Sequence, residues 1–290
     1  MIRSSELIIN KDGSIFHLHL KPEQIADYVL LVGDPGRVQL IASHFTDIEY
    51  TVQNREFVST TGKYKNTRIT VISTGIGTDN IDIVLNELDA LANIDLEKRE
   101  VKAVKRSLKI IRIGTSGGLQ KDLEVNSYVI SKKAIGFDGL LNFYANRELV
   151  SDLDFEKTFT NHTNWSPLLT KPYVVDFSDK LYQKIKGPEF TDGVTISAPG
   201  FYGPQGRVLR LETADPQLND KIESFLYNDF KITNYEMECS AIYGLSNLLG
   251  HEALTVCLII ANRVTKEANE NYHPYMEKLV KLILDRISTQ

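Results

Sequence analysis

The amino-acid sequence predicts an α/β fold, with a single domain in which a mixed central β-sheet is flanked by helices. Short apolar segments typical of strands alternate along the 290 residues with segments whose apolar residues recur at helical spacing. Several apolar segments end in glycine-rich polar loops, and no compositional shift, repeat or low-complexity tract divides the chain. Because alternating strands and helices pack as a sheet with helices on both faces, we assign residues 1–290 to one domain and expect flexibility only near the ends, such as residues 1–14.

The first strand, loop and helix are predicted at residues 28–45. Tyr28–Val32 is apolar and breaks into the loop Gly33–Arg37. Apolar residues then recur at helical spacing, at Val38, Ile41 and Phe45. The glycines permit close backbone approach to a ligand, and Arg37 offers a planar fork of donors to an oxyanion. Asp-Pro-Gly alone is ordinary turn chemistry, so it is the repetition of this arrangement that favours a binding site.

Two further strands end in the same kind of loop. Arg68–Ser73 leads into Thr74–Thr78. The helix predicted next has an apolar face formed by Ile81, Val84, Leu85, Leu88 and Leu91. Lys109–Leu119, with the sequence KIIRIGTSGGL, places Arg112 in an apolar run that ends in backbone N–H groups and two hydroxyls. One such loop is a weak signal, but ligands of open α/β sheets bind outside the carboxyl ends of the strands, so three loops predict one anion site.

Two loops in the second half of the chain carry groups suited to a heterocycle and a sugar. Val194–Ala198 is predicted as a strand that leads into Pro199–Arg207, a rigid loop with two aromatic rings, an amide and a guanidinium. The alternative is a Pro/Gly turn with exposed aromatic side chains. Lys231–Thr233 leads into Asn234–Glu238, where Glu238 either binds sugar hydroxyls or serves as a dipole partner of the following helix.

Three other segments give less specific predictions. If Phe16–Leu20 is a strand, the side chains of His17 and His19 lie on the same face. They could then bind a metal ion as a pair, or they could be ordinary histidines of an edge strand or an interface. The charged run Asp95–Glu100 is interpreted as a solvated extension of a helix. The segment 137–170 has the least regular pattern and is predicted to be a surface excursion. The most hydrophobic strand is predicted at 253–261, and a C-terminal amphipathic helix is marked by Met276, Leu279, Val280, Ile283 and Ile287.

Composition and charge exclude several classes of protein. With 33 Lys and Arg against 38 Asp and Glu, the net charge of −5 argues against a nucleic-acid partner, which needs a basic surface. Cys239 and Cys257 are too few for a zinc site or a disulfide framework, which fits a reducing compartment. The sequence lacks a secretory signal pattern and any run of the roughly 20 apolar residues that span a bilayer. We therefore expect a cytoplasmic protein with no membrane partner.

The loop sequences together resemble the nucleoside phosphorylase family, with the uridine phosphorylase pattern. The motifs are GDPGR at 33–37, REF at 55–57, STGIG at 73–77, RIGTSGG at 112–118, FYGPQGR at 201–207 and NYEME at 234–238. The resemblance runs in order from about Phe16 to about Arg263. It implies a three-layer α/β/α nucleoside phosphorylase fold and phosphorolysis of uridine to uracil and ribose 1-phosphate in pyrimidine salvage. It also implies a homodimer or homohexamer whose sites are shared between two subunits.

The resemblance also implies roles for individual residues. The arginines implied in catalysis are Arg37, Arg112 and Arg263, the last near the loop that closes over the base. The implied phosphate-binding residues are Gly33, Arg37, Arg112, Thr115 and, from a neighbouring subunit, Arg55. The implied ribose-binding residues are Met237, Glu238 and, from the neighbour, His17. The implied base-binding residues are Phe201, Gln205, Arg207, Ser116 and Gly117.

The sequence departs from the family pattern at three places. Purine-specific relatives commonly carry an aspartate after the last long strand, where this chain reads Ala261-Asn262-Arg263, so uracil is favoured over hypoxanthine. Some relatives bind a monovalent cation through a glutamate, a carbonyl and a serine. Glu56 and Ile76 match that pattern but Asn80 replaces the serine, so we expect inorganic phosphate as co-substrate and no cofactor, with the cation as the alternative. Insertions near 95–108 and 141–171 have no counterpart in the compact pattern.

Other functions remain open from the sequence. The leading hypothesis is a uridine phosphorylase, and the closest rival is a phosphorylase for thymidine or a purine nucleoside. A nucleosidase of related fold would use water in place of phosphate, which the arginines argue against. A nonenzymatic nucleoside-binding protein is the alternative of a different class. Base release measured with and without phosphate separates these hypotheses.

Overall fold

A computed structural model describes residues 1–289 and confirms the predicted α/β class. The strands are β1 Tyr28–Val32, β2 Asp47–Asn54, β3 Phe57–Tyr64, β4 Thr67–Ser73, β5 Ile94–Asp95, β6 Glu100–Val101, β7 Lys109–Gly118, β8 Tyr128–Gly136, β9 Tyr173–Asp176, β10 Phe190–Ser197, β11 Leu226–Tyr227, β12 Phe230–Glu236 and β13 Glu252–Asn262. The α-helices are α1 Pro35–Ala42, α2 Thr78–Asn93, α3 Leu153–Thr163, α4 Asp179–Ile185, α5 Leu218–Glu223, α6 Cys239–Leu249 and α7 His273–Ser288. Within residues 1–289, no helix is both long and apolar enough to cross a bilayer.

The main sheet is mixed, as predicted, and contains 11 strands in the order β11-β12-β10-β8-β13-β7-β1-β4-β3-β2, with β9 paired to β8. Strands β4, β1, β7 and β13 are mutually parallel, so their carboxyl ends lie at one edge. Strand β12 also pairs antiparallel with the end of β7, at Asn234–Gly118 and Tyr235–Gly117. This additional pairing closes β7, β13, β8, β10 and β12 into a ring and brings the second half of the chain against the first.

Strand β1 shows why helices cover both faces of the sheet. Successive side chains of a strand point to opposite faces. Val29 and Leu31 pack in a buried cluster with residues of α2 and α6, whereas Leu30 and Val32 pack in a second cluster with residues of α1, α4 and α7. A strand buried on both faces needs an apolar residue at every position, which explains the unbroken apolar run at 28–32.

The segment 137–170 is more ordered than the sequence predicted. It contains α3, whose Phe155 and Phe159 are fully buried. These rings contact Phe225, and Phe159 also lies near Trp165 and Phe137. The excursion is therefore held by an aromatic cluster that joins it to the later strands. The sequence pattern missed this because the partner rings lie far apart in the chain.

Two local predictions are wrong. The charged run at 95–100 does not extend α2, which ends at Asn93; it forms the turn of a two-stranded hairpin, β5–β6. Phe16–Leu20 is a turn and not a strand, and His19 has a positive φ of 56°. The N-terminal segment contacts the rest of the chain: Leu7 is buried, and the Ile2 N–H donates to the Arg99 carbonyl over 2.7 Å.

Candidate active site

A pocket of about 690 Å³ lies at the carboxyl ends of the parallel strands. Its wall includes most of the side chains that the sequence predicted to bind one ligand. These are Gly33, Arg37, Arg112, Thr115, Ser116, Gly117, Phe201, Gln205, Arg207, Met237 and Glu238, and Ile76, named for the cation, also lines the pocket. The predicted convergence of the glycine-rich loops is therefore observed, and Arg37 and Arg112 line the same pocket.

Arg37 is a buried guanidinium with spare hydrogen-bonding capacity. It lies in the first turn of α1, which is capped by the Asp34 carboxylate accepting from the Gly36 N–H over 2.9 Å. The side chain is 9% exposed, and its Nη1 donates to the Ile113 carbonyl over 3.2 Å. Burial, together with the charge of Arg112, lowers the pKa of Arg37. Within residues 1–289 it forms no ion pair, so an anion entering the pocket would supply the missing charge.

Arg112 differs from Arg37 because two carboxylates of the protein already pair with its positive charge. Its Nη2 donates to Glu238 Oε2, and its Nη1 lies 3.2 Å from Glu236 Oε2 and 3.3 Å from Cys257 Sγ. Burial disfavours the charge on Arg112, but Glu238 and Glu236 more than offset that effect and raise its pKa. The guanidinium lies over Gly114, where a Cβ would meet Nη1 at 2.0 Å. Glycine at 114 is therefore required for Arg112 to fold back over its own strand.

Both carboxylates beside Arg112 are held in fixed positions. Glu238 Oε1 accepts from the Gly77 N–H over 2.8 Å, which ties the end of β12 to the loop after β4. Glu236 accepts from the Ser197 hydroxyl over 2.6 Å and from the N–H groups of Glu238 and Cys239, at the start of α6. Burial and the adjacent Glu238 raise the pKa of Glu236, whereas Arg112 opposes the rise. The dipole role that the sequence left open for Glu238 is thus performed by Glu236.

Phe201, Gln205 and Arg207 form one unit at the other end of the pocket. The Arg207 guanidinium lies over the Phe201 ring, 3.7 Å from its centroid. Its Nη1 donates to the Phe201 carbonyl over 2.7 Å and to Gln205 Oε1 over 2.6 Å. Burial, then the charge of Arg263, lowers the pKa of Arg207 to about 10. Because Gln205 accepts from Arg207 through its oxygen, its amide nitrogen is left to donate to a ligand.

Strands β7 and β13 add a buried hydroxyl and an apolar side chain to the pocket wall. Ser116 Oγ is buried in the pocket wall and has no hydrogen-bond partner within residues 1–289. The pairing of β13 with β7 shifts register between Ile259 and Ala261. This bulge leaves Ile260 unpaired, and Ile260 lines the pocket. The site thus combines an unpaired hydroxyl with an apolar surface.

Arg263 is not part of the main pocket wall. It lines an adjacent cavity of about 290 Å³ with Gly206 and Asn219. Its buried Nη1 has no hydrogen-bond partner within residues 1–289. The preceding residue, Asn262, donates from Nδ2 to the Gln120 and Leu123 carbonyls over 2.8 and 2.7 Å. Its Oδ1 accepts from the N–H groups of residues 264 and 265, so Asn262 anchors two loops and is not available to a ligand.

Arg55 and His17 lie together on the surface, outside the pocket. The Arg55 guanidinium carbon is 5.7 Å from the centroid of the Phe16 ring, which makes an edge contact with His17. His17 Nδ1 lies 2.7 Å from Glu87 Oε1, and the His17 carbonyl accepts from Asn54. The two predicted residues Arg55 and His17 therefore do not line the pocket of their own chain.

The residues considered for a monovalent cation lie close together in the structure. Asn80 Nδ2 is 3.5 Å from the Ile76 carbonyl, the oxygen that would be a ligand. Asn80 Nδ2 and Glu56 Cγ are also the atoms closest to Gly75. Asn80 thus contacts the carbonyl that the cation would share. No group of three or more His, Cys, Asp or Glu suited to a metal occurs in residues 1–289.

Several residues of the pocket wall were not predicted from the sequence. They are Asp34, Pro35, Gly75, Tyr235, Glu236, Ile260, Ala261 and Tyr272. Most of them adjoin predicted residues, and Glu236 lies within the NYEME motif. Tyr272 has no such signal, because it lies after the long loop that precedes α7.

Comparisons with known proteins identify the family and agree with the fold. The sequence signature described as the phosphorylase superfamily matches residues 27–287. The uridine phosphorylase of Thermococcus kodakarensis is 32% identical over 270 residues, covering 91% of this chain and 83% of that protein. A DeoD-type purine nucleoside phosphorylase of Listeria monocytogenes is 29% identical over 252 residues, covering 87% of this chain and 88% of that protein. A solved nucleoside phosphorylase of Trypanosoma brucei, reported to show uridine phosphorylase activity, superposes with a TM-score of 0.85 at 30% identity, covering 98% of this chain and all of that one.

Proposed function

The chain belongs to the phosphorylase superfamily, and from that premise we propose that it cleaves uridine with inorganic phosphate, giving uracil and ribose 1-phosphate. The observation that carries the proposal is that one pocket contains the guanidinium of Arg37 at one end and the Phe201, Gln205 and Arg207 unit at the other. An anion and a flat heterocycle can therefore bind together, with room for a pentose between them.

Phosphate binding is assigned to the first end of the pocket. Arg37, Thr115 and the backbone at Gly33 would hold the phosphate, because Arg37 is buried with no counter-ion and Thr115 offers a hydroxyl. Arg112 would contribute its remaining N–H donors while keeping Glu238 in place. Glu238 and Met237 would contact the ribose. The phosphate would then face C1′, and its positioning would supply much of the rate enhancement.

Departure of the base is assigned to the second end. In phosphorolysis the bond from C1′ to the base breaks through an oxocarbenium-like state, while negative charge grows on the base and phosphate oxygen bonds to C1′. Gln205 Nε2 and the Arg207 guanidinium would donate to the uracil carbonyls and stabilise that charge. Phe201 would pack on the ring, with Ser116 and Gly117 at its edge. No nucleophilic side chain is needed.

The preference for uracil rests on the end of β13. Asn262 occupies the location at which purine-specific relatives carry an acid, and its amide is bonded to two carbonyls and two N–H groups of loops. No carboxylate from this segment faces the base. A purine would leave the donors of Gln205 and Arg207 poorly matched, at a cost of roughly 1–3 kcal/mol for each unpaired group.

We further propose a cytoplasmic homo-oligomer in which Arg55 of one subunit binds phosphate and His17 binds ribose in the site of its neighbour. The proposal is supported by their position together on one surface, outside the pocket of their own chain. The adjacent Ile76 is 68% exposed at the pocket rim, an apolar residue that a second subunit would cover.

Base release from uridine, thymidine and inosine, measured with and without phosphate, tests the proposed function. We expect fast release from uridine that depends on phosphate and forms ribose 1-phosphate in equal amount. Release without phosphate would identify a nucleosidase, and faster release from inosine or thymidine would identify a different phosphorylase. Binding of nucleoside without any turnover would identify a nonenzymatic protein.

A further inference from the structure

Tyr272 is a residue of the pocket wall that has no assigned role and lies outside every sequence motif. It precedes α7 and lies in the wall together with Gly33, Pro35 and Arg37. Its ring packs against the buried cluster that contains Val32 and Val38, the residues on either side of the Gly33–Arg37 loop. Tyr272 is therefore placed at the end of the pocket assigned to the anion, far along the chain from the other residues there.

Tyr272 is half-buried and contacts its neighbours through both its ring and its backbone. The ring stacks on His273, with centroids 4.7 Å apart and planes 23° apart. Its backbone carbonyl accepts from the N–H groups of Tyr275 and Met276 in the first turn of α7. The Tyr272 hydroxyl makes no hydrogen bond within residues 1–289. A tyrosine with a stacked ring and an unpaired hydroxyl beside a pocket is prepared to bind a polar ligand.

The charges at this end favour an anion as that ligand. Tyr272 and Arg37 line the same pocket. The 8-residue α1 and the 16-residue α7 both begin here, and no side chain caps the start of α7. The positive ends of two helices thus add to the Arg37 guanidinium, which forms no ion pair within residues 1–289, and the Asp34 carboxylate that caps α1 is the one negative side chain among Gly33, Asp34, Pro35, Arg37 and Tyr272.

We propose that Tyr272 is a further phosphate-binding residue, whose hydroxyl donates a hydrogen bond to an oxygen of the phosphate held by Arg37. The inference rests on the proposed phosphorolysis and extends it to a residue outside the six sequence motifs. The loop 263–272 would then contribute to the site at both ends. Arg263, at its start, lies close to Arg207 of the Phe201, Gln205 and Arg207 unit, and Tyr272, at its end, would bind the phosphate.

The Tyr272→Phe variant tests this inference, because it removes the hydroxyl and keeps the stacked ring. In the full-length protein, we expect KM for phosphate to rise roughly tenfold or more at saturating uridine, as for loss of a hydrogen bond to a charged group. We expect KM for uridine to stay within about twofold. Calorimetric titration with inorganic phosphate alone should show the same loss of affinity. The control is Tyr275→Phe, on the same helix, whose side chain is 41% exposed and outside the pocket wall.

The outcomes separate this inference from the proposed function. If the wild-type protein releases uracil only with phosphate and Tyr272→Phe leaves KM for phosphate unchanged, the role of Tyr272 is refuted and the phosphorolysis stands. A rise in KM for uridine alone would place Tyr272 at the nucleoside and refute the inference. If the wild-type protein neither binds nor needs phosphate, both proposals fail together.

Discussion

Arg37 and Arg112 line one pocket, yet only Arg112 is paired with carboxylates. Arg112 contacts Glu238 and Glu236, whereas Arg37 has the Ile113 carbonyl as its acceptor. The sequence motifs predict the same phosphate-binding role for both guanidinium groups, but their contacts in the structure differ. Arg37 offers net positive charge to a ligand, and Arg112 also holds the acidic groups of the site in position.

Replacing each arginine by alanine should separate these duties. Arg37→Ala should reduce kcat/KM for phosphate roughly 100-fold, as for removal of a donor that stabilises a reacting anion, with little change in stability. Arg112→Ala should impair catalysis and also lower the free energy of unfolding by about 3–5 kcal/mol, because two buried carboxylates lose their partner. Steady-state kinetics and chemical denaturation measure the two effects, with Arg3→Ala as an exposed control. Equal stability loss in both variants would contradict the distinction.

Gln205→Ala should chiefly reduce discrimination between bases. The variant removes an amide donor from the base end and leaves Arg207 without one acceptor. We expect the ratio of kcat/KM for uridine to that for inosine to fall roughly tenfold, corresponding to the loss of one matched hydrogen bond. KM for phosphate should change little. The control is the exposed Gln183→Ala, and an equal loss for every base would show that Gln205 does not read the base.

Asn262→Asp should destabilise the protein without creating purine activity. The substitution replaces the donor to two loop carbonyls by a second acceptor oxygen in a buried site. We expect a loss of about 2–4 kcal/mol, which lowers Tm by several degrees. Thermal unfolding and inosine turnover check this result, with Asn271→Asp in the exposed part of the same loop as control. A stable variant that cleaves inosine would refute the anchoring role.

The pH dependence of stability should report Glu236. Burial raises its pKa from 4.5 to about 7 in the folded protein. The folded state therefore binds more protons than the unfolded state between these values, so the contribution of Glu236 to stability falls as pH rises through this window. In the Glu236→Gln variant, the free energy of unfolding should not show this decrease with rising pH. Denaturation of both proteins at pH 4.5–8 measures it, and parallel curves would disprove the assignment.

Complementation between subunits that are each impaired with uridine should test whether sites are shared. Arg55→Ala and Gln205→Ala subunits, co-expressed with different tags, would form mixed dimers with one intact site and one doubly altered site. We expect these dimers to recover close to half of wild-type activity per dimer, well above either variant alone. If the activity of the mixed dimers does not exceed that of either parent variant, Arg55 does not contribute to the site of the neighbouring subunit. Mixed dimers of wild-type and Gln205→Ala subunits provide the reference for one intact site.

The sequence by itself determined the α/β class, the edge of the sheet at which the pocket lies and most of the loop residues that meet there. These features are local: apolar runs define strands, and the glycines, arginines and amides that follow each run stay at its end wherever the strand lies. The sequence did not determine what those side chains contact. The Arg112 partners come from β12 and β13, far along the chain, and only the pairing of these strands with β7 brings them together.

Tertiary structure alone also decided three other features of the site. The bulge that directs Ile260 to the pocket arises from the register of β13 against β7. Asn262 anchors loops, and Tyr272 reaches the pocket that Arg37 lines, because α7 packs on the same face of the sheet as α1. The hairpin at 95–100 and the ordered aromatic cluster under α3 were missed for the same reason. Register and packing between distant segments depend on the whole core, and no local pattern of residues encodes them.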